Sequence, residues 1–253
     1  MTSPPGSSSG RAASVGIRNI TRQRFSPALL EQLHALSNRL MREELEHFRI
    51  HAETNDVVHV FERVDTRAIV GFQFWKTIDF DLPRARAIVG GKLRVLPEYR
   101  RQALHLRSGL RFYASAQLLH PRTRFYRLSL ASIFGFTSLA SALSEYHLFD
   151  PHQPGPEARA IKAAFEQLAR GSNYDIDPET ALFLVHIFMT TETIALYPEA
   201  FFDKPAARIY ARANPSYRTN GSYVGFWFRF SPSNLLALVR AIRRARRRQG
   251  YEI

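Results

Sequence analysis

Arg100, Arg101 and Gln102 stand where a run of strand-forming residues gives way to a helical pattern. Pro97 ends the strand, because it cannot donate to a central ladder. Ala103, Leu106, Leu110, Tyr113 and Gln117 then recur at steps of three and four, one face of a helix that opens at Arg100. A helix start has unpaired N–H groups and the positive end of the dipole. Two arginines added there make an anion site, and phosphate is the usual anion. His47 and His51 are four apart, with Glu43 and Glu44 a turn earlier. That spacing can hold a metal, but there is no third ligand and no His-Glu-x-x-His motif, so no metal site is assigned. There is no cysteine, which excludes disulfides, thiolate metal sites and a Cys nucleophile. Without a Gly-x-Ser-x-Gly elbow or a Walker loop, serine-hydrolase and P-loop readings lose their main support.

The elements that must position these residues follow from periodicity. The organising strand runs from Arg86 to Leu96, and its Gly90-Gly91 pair suggests a bulge or a close backbone approach. Before it, Val15 to Ile20 reads as a short strand. Ser26-Pro27 opens one long helix, or two in sequence, reaching about Glu53. Val57 to Val64 and Ala68 to Trp75 form an antiparallel hairpin. After the basic helix come a strand over Phe125 to Ser132 and a small-residue helix ending near Tyr146. The linker Asp150 to Pro156 leads to a helix over Glu157 to Arg170. Asp177-Pro178 caps a further, largely apolar helix through Phe188. Ala206 to Ala213 and Tyr223 to Phe230 read as two late strands of the same sheet. A final helix runs from Pro232 to about Arg248 and ends in Arg240, Arg243, Arg244, Arg246, Arg247 and Arg248.

The unit Arg86 to Leu119 resembles the central motif of the GNAT (Gcn5-related N-acyltransferase) superfamily. Val95, Pro97, Tyr99 and Arg100 match its V-x-P-x-Y-R strand end, and the order of elements over residues 15–150 is similar to that of its core. The resemblance implies an α/β (α+β) fold with a central mixed sheet flanked by helices, and an N-acyltransferase activity. It implies that backbone N–H groups near Leu93, Arg94 and Val95 face a thioester carbonyl. Arg100, Arg101, Gln102, Ala103, Leu104 and His105 would form the loop holding a pantetheine phosphate. Ala103 and His105 depart from the pattern, which has glycine at the first position and glycine or alanine at the second. Glycines admit the pyrophosphate of coenzyme A, and a histidine crowds it. Glu62, Asp79 and Glu98 are carboxylates near the expected cleft and candidates for the base, while Tyr146 lies near the place of the family's tyrosine acid. None sits in a matching motif, and a surface charge or a core tyrosine is the plain alternative for each.

The chain of 253 residues has 35 Lys+Arg against 22 Asp+Glu, a net charge of +13, and 45% hydrophobic residues, enough for a packed core. A basic surface speaks to partners rather than to fold. Together with the altered loop it points to an acidic acyl carrier protein as donor, as in the resembled carrier-dependent N-acyl amino acid synthases and autoinducer synthases. The donor is then acyl-phosphopantetheine, with acyl-CoA as the alternative, and the acceptor a small amine such as an amino acid or a peptide. The helical insertion (157–190) would line an acyl tunnel. Rival readings are an acetyl-CoA-dependent acetyltransferase and a non-enzymatic basic binding protein. Nucleic acid is the less favoured partner, because the arginine tract lacks interleaved aromatics. Residues 1–14, rich in Ser, Gly and Pro, read as a disordered leader, 15–150 as the acyltransferase core, and 151–253 as an insertion plus late strands on the same core. No apolar run approaches the roughly 18 residues of a membrane span. A cytoplasmic protein is expected, with peripheral membrane contact left open.

Overall fold

A computed structural model describes residues 13–247. The chain begins with β1 (Val15–Thr21), α1 (Pro27–Asn38), the two-residue β2 (Met41–Arg42) and α2 (Leu45–Glu53). Next come β3 (Val57–Arg63), β4 (Ile69–Asp79) and β5 (Ala85–Val95), a 3-10 turn (Pro97–Gln102) and α3 (Leu104–Leu119). β6 (Arg124–Ala131), α4 (Ile133–Ala140), β7 (His147–Leu148) and α5 (Pro156–Arg170) follow. Three short strands, β8 (Asp175–Ile176), β9 (Leu182–Leu184) and β10 (Phe188–Met189), precede α6 (Thr191–Ala195), α7 (Glu199–Phe202) and α8 (Pro205–Ala213). β11 (Ser222–Arg229) and α9 (Pro232–Arg247) complete the described chain.

This is the mixed α/β architecture expected. The central sheet has the order β1-β3-β4-β5-β6-β11-β9-β8, with β7 also paired to β11. Every pairing is antiparallel except β5 with β6. Alternation along the strands sends side chains to two faces. On one face Leu33 and Leu36 of α1 and Phe48 of α2 pack on Val58, Val60, Phe72 and Phe74. The same side continues under α5, where Ile161, Phe165 and Leu168 join Val89 and Leu128. On the other face α3 covers Trp75, Ile88 and Phe125. A buried hydroxyl fixes that helix: Ser108 Oγ accepts from Trp75 Nε1 at 2.8 Å and lies 2.8 Å from His59 Nδ1. Burial and the charge of Arg111 hold His59 near pKa 4, so its ring is neutral at physiological pH.

Four regions fold differently from the periodicity reading. The helix after Pro97 starts at Leu104, not at Arg100: residues 97–102 form a 3-10 turn, and Ala103 stands in the left-handed region (φ 49°) between the two. The helix expected after Asp177-Pro178 is absent. The Asp177 carboxylate accepts the amides of Glu179 and Thr180, Ala181 turns left-handed (φ 56°), and Leu182–Leu184 joins the sheet against β11. An apolar run buried from both sides serves a strand as well as a helix. Conversely, 206–213 is helix α8, not a strand. Pro205 stands in its first turn, and Ala206, Ala207 and Tyr210 fall on one buried stripe. The helix after β6 also ends early, at Ala140, which leaves Tyr146 outside it.

Of the expected leader only Ala13 and Ser14 are described, and both are held: Gln102 Nε2 donates to the Ala13 carbonyl at 3.0 Å and the Val64 amide to the Ser14 carbonyl at 3.0 Å. Arg248 of the basic C-terminus lies outside the described residues. Gly71 faces Val95 at the end of β5, and a Cβ there would lie 2.5 Å from the Arg94 carbonyl oxygen and 2.9 Å from the Phe61 ring. Gly71→Ala is expected to destabilise the protein by about 1–3 kcal/mol, read as a lower urea midpoint, because backbone rather than a flexible side chain has to move.

Candidate active site

The sheet opens at its centre. β5 and β6 pair in parallel from Ala85/Arg124 to Val89/Leu128, and no further. On the other side of β5 the ladder with β4 is interrupted as well. Phe74 faces Gly91 and Phe72 faces Arg94, so Lys92 and Leu93 oppose the single residue Gln73. Two residues against one is a β-bulge, and Lys92 takes a left-handed conformation there (φ 42°). Bulges re-aim side chains, and strain of this kind concentrates at functional sites.

A cleft of about 220 Å³ occupies the opening. It runs from the first turns of α3 on one face to Leu40 and Met41 on the other. One arm is apolar, walled by Leu106, Leu110, Phe226, Phe228, Phe230 and Leu238. The rest is cationic: Lys92, Arg94, Arg100 and Arg127 line it, and no Asp or Glu is among its described lining residues. Gln73 Oε1, Ser129 Oγ and Arg94 Nη2 are buried without a hydrogen-bond partner, and all three residues line the cleft. Buried polar atoms are normally paired, so three unpaired ones among the residues of one cleft favour a polar ligand there.

Each cation is held differently. Arg127, 5% exposed, lies flat against Gly90, where a Cβ would come within 2.8 Å of its guanidinium carbon, and sits 4.5 Å from the Trp75 ring centroid. Its only hydrogen bonds in the described structure are long ones, to the Ile88 and Gly90 carbonyls at 3.5 and 3.4 Å. Burial without a carboxylate lowers its pKa to about 9. Lys92 and Arg94 point to the α1–α2 side and share the carboxylate of Glu43. Lys92 is ion-paired to Glu43 Oε1, and Arg94 Nη2 lies 3.8 Å from Oε2 while its Nε donates to Ser37 Oγ at 2.9 Å. His47 Nδ1 is 3.0 Å from the same carboxylate. Burial pushes the Glu43 carboxyl up, but His47, Lys92 and Arg94 together outweigh it and hold the pKa near 2. Burial lowers Lys92 to about 8, only partly offset by Glu43. Tyr223 lines the cleft with its hydroxyl pushed by burial to about 12, so it stays protonated and can donate.

Of the residues expected at the site, Leu93, Arg94, Val95, Arg100, Leu104 and His105 line the cleft. Arg100 reaches across it: Nε donates to the Val95 carbonyl at 3.1 Å and Nη1 to the Tyr197 hydroxyl at 3.0 Å. His105 turns inward, its Nε2 3.0 Å from Ser138 Oγ, and burial plus the charge of Arg127 keeps it near pKa 4. Arg101 is exposed, and Gln102 is buried against Ala13. Ala103 caps α3 without a side-chain acceptor, since alanine has none. The candidate acids and bases lie elsewhere. Glu62 pairs with Arg18 and Arg67 on β3, Glu98 is exposed in the 3-10 turn, and Asp79 pairs with Arg86. Tyr146 packs on Phe136 and Phe226, and burial raises its pKa. None of the four is among the residues lining the cleft. No group of three or more potential metal ligands occurs among the described residues.

No protein-family model matches the sequence, and no curated protein matches it. Solved structures with a similar chain path include NAA60 of Arabidopsis thaliana with a bisubstrate analogue, at 18% identity over 53% of this chain and 87% of that one (TM-score 0.36). The loading GNATL domain of CurA from Lyngbya majuscula matches at 12% identity over 85% of this chain and 98% of that one (TM-score 0.35). An aminoglycoside 6'-N-acetyltransferase complexed with coenzyme A matches at 12% identity over 85% and 97% (TM-score 0.34). Likeness at this level adds nothing to what the topology itself establishes.

Proposed function

We propose that the protein is an N-acyltransferase that moves an acyl group, long-chain rather than acetyl, from the phosphopantetheine thioester of an acidic acyl carrier protein to the amine of an amino acid or peptide, in the cytoplasm. The observation that carries this reading is the cleft through the sheet between β5 and β6, cationic and free of carboxylates, with an apolar arm. A slender thioester arm fits a gap between strands whose ladder has ended. Its phosphate meets the uncapped start of α3, where amides and the dipole favour an anion and Arg101 stands exposed. The apolar arm suits a fatty acyl chain. The expected insertion does not form it: residues of 157–190 line a smaller recess instead.

Attack by the amine forms the C–N bond, the C–S bond breaks, and the proton lost by the nitrogen ends on the thiol. Two features of the site favour this step. The charge of Arg127 beside the gap stabilises the oxyanion that develops on the carbonyl. The surrounding cations disfavour an ammonium, so the acceptor enters as the neutral nucleophile with less need of a carboxylate base. In this reading Tyr223, which lines the cleft, donates a hydrogen bond to the leaving sulfur.

The choice of a carrier protein rests on charge and on the loop. A broad groove of about 390 Å³ between α3 and α9 is lined by Arg107, Arg111, Arg243 and Arg246 with Leu110 and Ile242, and no acid is among its described lining residues. It lies beside the first turns of α3, where the phosphate would leave the cleft. The double variant Arg243→Glu/Arg246→Glu alters two exposed side chains. It is expected to raise KM for an acyl-carrier-protein donor about tenfold or more, with a much smaller change in kcat, and to weaken the salt dependence. Equal effects on a carrier donor and on a free acyl-pantetheine would remove the groove from the account. Turnover with acetyl-CoA alone would favour the acetyltransferase reading.

A further inference from the structure

Behind the bulge, under the end of α5, a recess of about 50 Å³ meets the cleft along Gly90–Lys92, Arg94, Leu130 and Tyr223. Three cations line it, Lys76, Lys92 and Arg94, and no acid is among its described lining residues. Glu43 contacts Lys92 and Arg94 from outside the recess, so the pair plus Glu43 keeps one positive charge in excess. Lys76 adds a second cation, facing the exposed Asp56. Arg94 is 6% exposed, and its Nη2 has no hydrogen bond. The Ser172 hydroxyl, also lining the recess, is buried without a partner. Buried excess charge with idle donors is costly unless an anion completes it. The volume suits a group of a few atoms, about the size of a carboxylate with a water.

We infer that this recess is a carboxylate-binding acceptor subsite in which Lys92 and Arg94, supported by Lys76, grip the acid group of the amine substrate. The inference rests on the acyl-transfer reading and narrows it. The acceptor is a small amine that bears a free carboxylate, such as an amino acid or a short peptide through its C-terminus, and not a polyamine or an amino sugar. The subsite opens on the cleft across the bulge, so an acid anchored there presents its amine toward the gap holding the thioester. Arg94 brings Nη2 to the grip, since its Nε donates to Ser37 Oγ and its Nη1 to the Leu93 carbonyl, and the Lys92 ammonium supplies the second charge.

The test compares matched acceptors, phenylalanine against phenylalaninamide and leucine against leucinamide, with one acyl-carrier-protein donor. The acids are expected to exceed the amides in kcat/KM by at least 30-fold. Arg94→Gln is expected to reduce that ratio to within threefold of unity. Lys76→Met, which leaves the Glu43 contacts untouched, is expected to reduce it about fivefold or more. A ratio between two acceptors is not moved by partial misfolding. An acid-to-amide ratio near one in the unaltered protein, with turnover present, would overturn the subsite and leave acyl transfer standing. A second readout needs no turnover: thermal protection by N-lauroyl-phenylalanine but not by its amide, lost in Arg94→Gln. Protection with no transfer to any amine would retain the subsite and remove the acyltransferase reading. Equal protection by acid and amide would overturn the subsite.

Discussion

Glu43→Gln is expected to destabilise the protein by about 3–5 kcal/mol, the largest loss from a single side chain at this site. The substitution keeps the shape and removes the carboxylate that, among the described residues, pairs with two buried cations, Lys92 and Arg94. Neither cation can turn to water, because their side chains are 2% and 7% exposed. The same group sets a pH dependence. Its folded pKa, near 2, lies below the ordinary 4.5, so its contribution is fully present above pH 4.5 and is lost as pH falls toward 2. The size is about 3 kcal/mol. Urea midpoints measured from pH 6 to pH 2.5 are expected to fall steeply in the parent protein and more shallowly in Glu43→Gln. Parallel curves would show that the carboxylate is not held by the cations.

Arg127→Met is expected to move activity and stability in opposite directions. The arginine is buried without a counter-ion and held by two long bonds to carbonyls and by the Trp75 ring. An apolar side chain of similar length can occupy the slot between Gly90 and Trp75 without that burden, so the urea midpoint is expected to rise, by about 1 kcal/mol or more in stability. Acyl transfer is expected to fall about 100-fold in kcat, the usual loss when one fixed donor to a developing oxyanion is removed. A stabilised but inactive variant would mark Arg127 as a group retained for chemistry. Loss of both stability and activity would make it a structural pillar.

The sequence carried the frame of this site better than its charges. The strand and its stop at Pro97 were readable because each rests on local chemistry, but the bulge falls at Lys92-Leu93, just past the glycine pair that suggested it, and the arginine cluster read as a helix start stands in a 3-10 turn. Arg94 and Arg100 came with that stretch. Glu43 did not, since it stood out only beside His47 and His51, in a spacing that suggests a metal rather than an ion pair with a distant strand. In the fold the chain breaks between α1 and α2, and Glu43 is drawn under the sheet by cations about fifty residues away. One signal was available: Lys92 and Arg94 alternate with apolar residues in a central strand, and a buried cation requires a partner. Arg127 and Ser129 give the same sign in β6, polar at every second position of a strand covered on both faces. The run 178–188 and the segment 206–213 failed for a different reason. Short apolar stretches fit either period, and their state is set by what they pack against, β11 for one and α4 for the other.

The most direct measurement is single-turnover thioester release with amide formation followed by mass spectrometry, offering lauroyl-carrier protein and lauroyl-CoA side by side with a mixture of amino acids. Release from the carrier protein in step with an N-lauroyl amino acid is expected, with little from the coenzyme A donor. No amide from either donor would contradict the acyl-transfer reading, and the cationic cleft would then be a binding site without acyl chemistry.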